Sequence, residues 1–421
     1  MKKVAFIITL AFICTHNPIY GQLSIEDCYK KAQANYPLVK QYGLIEQSRE
    51  FNLSNANKGY LPQISLSTKA TYQSAVTKFP VSLPNISIKG LNKDQYQSVA
   101  EVNQTVWDGG VISSQKKITE ASSAVEKQKL DVDMYTINDR INQLFFGVLL
   151  LDEQIKQNIL LQDELKRNYS QISSYVTNGI ANQADLDAVK VNQLSTAQRK
   201  VELEATRKAY MEMLSAMIGE PIKENNHLTK PSAAESSSLQ ATINRPELQL
   251  FEAQNKLFET QKSMVDSKNM PKLGLFVQGG YGNPGLNMLK NEFTPYYIAG
   301  ARLTWNFGSL YTKKNDKKLL DNNQQNIAVQ KETFLFNTNL KMTQQSNEID
   351  KMKQLMRDDD EIIRLRTNIK KASEVKVEHG TLSVTDLLRD INSEDQAKQS
   401  KVLHEIQLLI SIYNYKNSTN N

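Results

Sequence analysis

The stretch "YVTNGIANQADL", residues 175–186, holds a single glycine, Gly179, between two long runs of helix-compatible sequence. "VKVEHGTLSVTDL", residues 375–387, repeats the arrangement around Gly380, and in both an Asp-Leu pair begins six residues after the glycine. Glycine adopts the left-handed conformation that ends a helix without the penalty a Cβ brings. Asn182 and Asp185 then stand three apart, as do Ser383 and Asp386, the spacing of an N-cap and its acidic partner. Both stretches read as tips of helical hairpins: the helix stops at the glycine, turns within a few residues and restarts.

The flanks support that reading. Between Gly110 and Gly179 there is no proline and one glycine, Gly147; from Gly308 to Gly380 there is neither. Each half can hold a helix of up to ~65 residues, roughly 100 Å at 1.5 Å per residue, and lengths of that order belong to coiled coils. Steps of four and three from Ile137 give Ile141, Leu144, Val148, Leu151, Ile155, Asn158, Gln162, Leu165, Tyr169, Ile172 and Val176, of which all but Asn158 and Gln162 are apolar. This is the seam of a packed coiled coil. Leu355, Ile362, Leu365, Ile369 and Ala372 keep the spacing less cleanly in the second half.

The tips belong to a longer duplication. Residues 35–72 align without a gap on residues 244–281, placing Asn35, Pro37, Pro62 and Tyr72 on Asn244, Pro246, Pro271 and Tyr281. "VWDGG", residues 106–110, matches "TWNFG", residues 304–308. The expected division is a signal peptide at 1–21, a first repeat at 22–218, a linker at 219–243 and a second repeat at 244–421. The signal peptide rests on Lys2 and Lys3, the apolar run Val4–Cys14 and the small Gly21 before "QLSIED". That run is too short to span a bilayer as a helix, and no later segment is long and apolar enough. Phe12 and Ile13 are too bulky for a lipoprotein signal ahead of Cys14.

Before each long helix the period changes to two. Ile64, Leu66, Thr68, Ala70 and Tyr72 alternate with Gln63, Ser65, Ser67, Lys69 and Thr71, and Tyr96, Ala100, Val102 and Val106 stand opposite Gln97, Glu101 and Asn103. The second half repeats this over 272–281 and 297–306. Alternation over ~10 residues with aromatics near the ends, Trp107 and Trp305 among them, is the pattern of an outer-membrane barrel strand. Ile64, Leu66 and Val102 are expected to face lipid, and Ser65, Ser67 and Glu101 a wet lumen. Four strands cannot close a barrel and an open edge cannot persist in lipid, so the chain must assemble around an axis. Three copies supply twelve strands and twelve helices.

In this order of elements the chain resembles the TolC-like outer-membrane efflux proteins over nearly all of residues 22–421. The ordered set that carries the resemblance is helix, proline-led strand ("GYLPQISL", "KNMPKLGL"), strand ending in "VWDGG" or "TWNFG", long helix, glycine tip with Asp-Leu, and return helix, each occurring twice. The resemblance implies a fold that is mainly α with a membrane β-barrel part: a homotrimer with a twelve-stranded barrel in the lipid of the outer membrane of a Gram-negative bacterium and an α-helical barrel in the periplasm. It implies a passive exit duct of a tripartite efflux or type I secretion system, joined to a periplasmic adaptor and an inner-membrane RND or ABC transporter. The tips around Gly179, Asn182, Asp185, Gly380 and Ser383 are then the expected adaptor-docking surface. Acidic side chains just after the second tip ring the closed aperture in such proteins; Asp386 stands at that place, with Arg389 and Asp390 one turn on. Asp386 equally suits the helix-capping role read from its spacing.

Other classes fit less well. Cys28 is the only cysteine after residue 21, which excludes an intrachain disulfide and a cysteine metal cluster. The formal net charge of +6, with acids and bases interspersed, does not indicate nucleic acid. His227, His379 and His404 have no metal-ligand spacing, and no phosphate loop or nucleophile elbow occurs, so neither catalysis nor a cofactor is expected. The alternative is a periplasmic coiled-coil adaptor or structural protein.

Overall fold

The computed structural model describes residues 23–77, 90–222, 228–232 and 242–420. The expected signal peptide, part of the expected linker and His227 lie outside the described residues. Helices α1 (Ile25–Asn35) and α2 (Lys40–Asn57) lead into strands β1 (Gln63–Tyr72) and β2 (Asp94–Trp107), then α3 (Val111–Tyr135), α4 (Ile137–Thr177) and α5 (Gln183–Ile218). The pattern returns as α6 (Pro246–Lys268), β3 (Lys272–Asn283), β4 (Thr294–Thr304), α7 (Leu310–Glu378) and α8 (Val384–Thr419). No helix among the described residues is long and apolar enough to cross a membrane. Two compact units form, and each draws on both halves of the chain: one gathers the described residues within 23–39, 134–244 and 337–420, the other those within 40–133 and 245–336.

The second of these units contains the sheet. Its four strands are antiparallel in the order β1-β2-β3-β4, so β1 and β4 each keep one unpaired edge among the described residues. Ile64 lies opposite Val102, Ser65 opposite Glu101, and Glu101 opposite Gln278. Residues directly opposite share a face, so register extends the alternation of each strand across the sheet. One position departs from the sequence reading. A bulge between Thr105 and Trp107 leaves Val106 out of the ladder and sets Trp107 opposite Leu273. Trp107, not Val106, therefore shares the face of Ala100 and Val102, because one extra residue in a strand reverses the alternation beyond it.

The strand-to-helix junctions are fixed by side-chain caps. Asp108 accepts from the backbone N–H of Gly110 at 2.9 Å and of Ile112 at 2.5 Å, holding the first turn of α3. Gly109 and Gly110 have φ of 72° and 84°, and a Cβ on Gly109 would meet the Met270 Cβ at 2.7 Å. In the second repeat Asn306 accepts from Gly308 N–H at 3.0 Å, and the Trp305 indole donates to the Asn269 carbonyl at 3.1 Å.

The other unit is helical. Along the α4 seam Ile137, Ile141, Leu144, Val148, Leu151, Asn158, Leu165 and Ile172 are buried. Asn158 keeps its place in this apolar row by donating to the Thr196 carbonyl of α5 at 3.1 Å and accepting from Gln162 at 2.7 Å. A polar layer of this kind fixes the register of a coiled coil at some cost in stability. α7 runs 69 residues without a break. Its counterpart is divided at Thr136 into α3 and α4, although φ and ψ there, −63° and −18°, remain near helical values; Thr is a weak helix former. Cys28 on α1 is buried; burial, and then the charge of Asp27, push its thiol up to about 12. It is an inert packing residue.

Candidate functional site

Both tips have the backbone expected of them. Gly179 has φ 76° and Gly380 φ 68°. At the first, Ile180 N–H bonds the Tyr175 carbonyl at 2.9 Å and Gly179 N–H the Val176 carbonyl at 3.1 Å. At the second, Thr381 N–H bonds Lys376 at 2.9 Å and Gly380 N–H bonds Val377 at 3.0 Å. These paired bonds form the Schellman helix stop, which only a left-handed residue closes. Each chain then restarts on a cap. Asn182 and Asp185 form a reciprocal capping box over α5, with both bonds at 3.1 Å. Ser383 accepts from Asp386 N–H at 3.1 Å at the start of α8, and its hydroxyl donates to the Asp386 carboxylate at 2.7 Å. Exposed His379 is the last residue before the second glycine.

The fold brings the two tips together although their glycines are far apart in sequence. Leu165, Ile172 and Val189 of the first hairpin share one buried cluster with Val377, Val384, Leu387, Leu388 and Ile391 of the second. Above it a polar group joins three helices. Lys370 of α7 lies 2.5 Å from Glu164 of α4 and 2.7 Å from Glu394 of α8. Glu394 also accepts from Thr367 at 2.6 Å and pairs with Lys398 at 2.9 Å. Burial, the largest single influence, pushes the Glu394 carboxyl up; the bonds from Lys370, Thr367 and Lys398 together outweigh it and bring the group down to about 2. Partners so distant in sequence leave no local pattern, which is why this group escaped sequence reasoning.

Of the two acids considered for an aperture, Asp386 is half-exposed and pairs with Arg389 at 3.0 Å, while Asp390 accepts from Ser373 of α7 at 2.6 Å. Neither is a bare charge.

The sheet has two chemically distinct faces. One carries Ile64, Leu66, Tyr72, Ala100, Val102, Leu273, Leu275, Val277, Tyr281, Tyr297, Ala299, Ala301 and Leu303, with Thr68, Ser98 and Gln104 as polar members and a charge, Asp94, only at its end opposite Tyr72. These side chains are laid bare in the single chain: Ile64 is 77% exposed, Leu66 76% and Tyr297 79%. The other face holds Ser65, Ser67, Lys69, Glu101, Gln278 and Arg302, with Glu101 accepting from Gln278 at 2.7 Å and Arg302 stacked over Phe276. Aromatics mark both ends of the apolar face. Tyr281, Tyr96 and Phe293 stack at one, with centroids 5.6 and 6.3 Å apart, and half-exposed Trp107, Trp305 and Phe307 lie at the other. A charge-free band between two aromatic girdles is the lipid-contacting surface of an outer-membrane strand set.

Fold and site together have the features of an outer-membrane strand set in a chain that also carries long helical hairpins. The family profile described as Outer membrane efflux protein matches residues 28–220. The fold is similar to that of solved outer-membrane channels across 94% of this chain. For CusC the TM-score is 0.70 at 12% identity, covering 91% of that chain. For VceC from Vibrio cholerae the values are 0.65, 11% and 94%, and for MtrE from Neisseria gonorrhoeae 0.64, 12% and 89%. No curated protein matches the sequence. Residues 28–220 are thus similar to the outer membrane efflux protein family, and the chain shares the fold of the solved outer-membrane channels.

Proposed function

We propose that three copies of this chain close into a twelve-stranded barrel continued by helices, forming the passive terminal duct of a tripartite system fed by a periplasmic adaptor and an inner-membrane RND or ABC transporter. The observation that carries this is the sheet: its outer face suits lipid, yet β1 and β4 end in open edges, which hydrocarbon does not tolerate. A second copy satisfies β4 with its β1, and a cyclic arrangement leaves no edge.

The helical unit supports the same closure. Exposed Val191, Leu194 and Val201 on α5 keep heptad spacing, as do exposed Leu355, Ile362, Leu365 and Ile369 on α7. Leu194 and Leu365 lie the same number of residues from their tip glycines, and the two helices run in opposite directions. Unpaired seams at equal height suit contact between the α5 of one copy and the α7 of the next.

Three Asp386 carboxylates around the axis would make a negative constriction, moderated by Arg389, while the tips carrying Gly179, Asn182, Asp185, Gly380 and Ser383 receive the adaptor. The repeat organisation, residues 22–218 and 244–421 flanking a linker, supplies each copy with two strands and one hairpin twice. Single-channel recording in planar bilayers tests the duct and its aperture together. The chain should give cation-favouring steps, and Asp386→Asn should raise conductance and weaken block by multivalent cations. Conductance, selectivity and block all unchanged in the variant would reduce Asp386 to a helix cap; no channel activity from the parent chain would contradict the duct.

A further inference from the structure

The two strand-to-helix junctions have matching backbones and different charge. Residues 108–120, "DGGVISSQKKITE", carry two lysines against Asp108 and Glu120 and are neutral overall; residues 306–318, "NFGSLYTKKNDKK", carry four lysines against Asp316, a balance of +3. Asn306 replaces Asp108 as the cap, so the second junction also lacks the buried acid of the first.

The four lysines divide by direction. Lys313 and Lys317 turn toward α6, where both pair with Asp266, at 3.0 and 2.8 Å. Lys314 and Lys318 lie on another side of α7 with Tyr311, at the i, i+3, i+7 spacing that keeps side chains on one stripe. All three are exposed, Tyr311 by 87%, and the two lysines have no acidic partner among the described residues. Lys268 of α6 is likewise exposed and unpaired among them, and precedes Asn269, whose carbonyl holds the Trp305 indole. Near the start of β1 and in the second turn of α3, Lys58 and Lys117 are exposed as well. At the opposite end of the sheet, the described residues carry Lys93 beside Asp94 and Lys290 paired with Glu292 at 3.5 Å, a balanced set.

Position decides what such a belt of lysines meets. Trp305 and Phe307 mark the end of the lipid-facing band. α7 begins at Leu310, so Lys314 follows roughly 6 Å and Lys318 roughly 12 Å beyond the helix start, the depth of the headgroup layer rather than the hydrocarbon. Unpaired lysines just outside an aromatic girdle are attracted to anionic lipid phosphates and neutralise them.

We propose that Lys268, Lys314 and Lys318 bind the headgroups of anionic phospholipids in the inner leaflet of the outer membrane, with Trp305 and Tyr311 seating the glycerol region beside them. This rests on the barrel reading, since the belt reaches headgroups only if the sheet spans the membrane. The occupant follows from charge complementarity and from continuity with the lipid-facing band. The belt selects lipid and holds the barrel at a fixed depth, whereas Lys313 and Lys317 are consumed by Asp266.

The test reconstitutes the full chain in phosphatidylcholine vesicles containing spin-labelled phosphatidylglycerol or spin-labelled phosphatidylcholine and compares motionally restricted lipid. The parent chain should prefer phosphatidylglycerol at least about threefold, and the preference should decline as salt rises and shortens the screening length. Lys268→Gln/Lys314→Gln/Lys318→Gln should lose it, while Lys313→Gln/Lys317→Gln should keep it. Competition by free inorganic phosphate at millimolar concentration would point to a soluble anion and overturn the lipid assignment. Equal preference in the triple variant and the parent would overturn it too. Failure of the parent chain to insert in either vesicle would instead refute the barrel reading, so the two failures are distinguishable.

Discussion

The two hairpin tips share a backbone and differ in what their side chains do with it. Both stop on a left-handed glycine and restart on a capped helix. After Gly380 the apolar residues Val384, Leu387, Leu388 and Ile391 turn inward and are buried. After Gly179 the chain exposes Ile180 and buries nothing fully until Val189. The polar seam differs in the same sense. Asn158 and Asp359 stand the same number of residues before their glycines, but the first is neutral and bonded to backbone, and the second pairs with His404 at 2.9 Å. The turn is the same at both tips, and the side chains make one tip an anchor and leave the other open.

The largest expected effect breaks the comparison at its core. Ile391→Ala removes a buried side chain from the shared cluster and should cost about 2–5 kcal/mol, whereas Leu186→Ala, half-buried at the other tip, should cost far less. Hydrogen exchange at the two tips reads this directly: exchange should rise across both hairpins in the first variant and only near residue 186 in the second. Equal effects would show that the tips are equivalent.

Acid should sharpen the difference next. Glu394 has its folded pKa lowered, so its stabilisation is full above the ordinary carboxyl value of 4.5 and is lost as pH falls toward about 2. The first hairpin has Gln193 at the corresponding place, and Gln193 donates to the Leu165 carbonyl. Amide exchange should therefore accelerate around residues 367–398 between pH 4.5 and 2, after correction for intrinsic rates. In Glu394→Gln that pH dependence should shrink. A parent-like acid response in the variant would place the titration elsewhere.

The glycines give the smallest energetic change and a decisive functional one. Open space surrounds each Cβ position, so the cost of Gly179→Val or Gly380→Val comes from backbone strain alone, about 1–2 kcal/mol. Assembly should survive while export and adaptor contact fail. Cysteines placed at Thr177, Asn182 or Ser383 should crosslink the adaptor, with no background from buried Cys28, and the first two should crosslink more readily than the third. Normal export by the double valine variant would move the docking surface away from the tips.

Much of this was legible in the sequence where a local period reports a physical boundary. β1 coincides with the alternating run Gln63–Tyr72 because side chains of successive strand residues point to opposite faces, one more apolar and one more polar. The glycine stops were legible because only glycine relieves left-handed strain cheaply at a helix end. The bulge before Trp107 was not, since its effect depends on which residue of β3 lies opposite. Nor was the link between Glu164, Lys370 and Glu394, whose carboxylates and lysine are brought together only when three helices pack.

The claim on which everything rests is that the four-stranded sheet is one third of a closed barrel. Native mass measurement of the full chain in detergent micelles tests it most directly, with Leu66→Lys and Ser67→Lys measured alongside. A lysine on the lipid face costs roughly 2–4 kcal/mol near mid-membrane and much less toward the lumen. The account predicts three chains per particle for the parent and for Ser67→Lys, and a marked loss of that species for Leu66→Lys. A stable monomer of the parent chain, or equal tolerance of lysine at both positions, would contradict it.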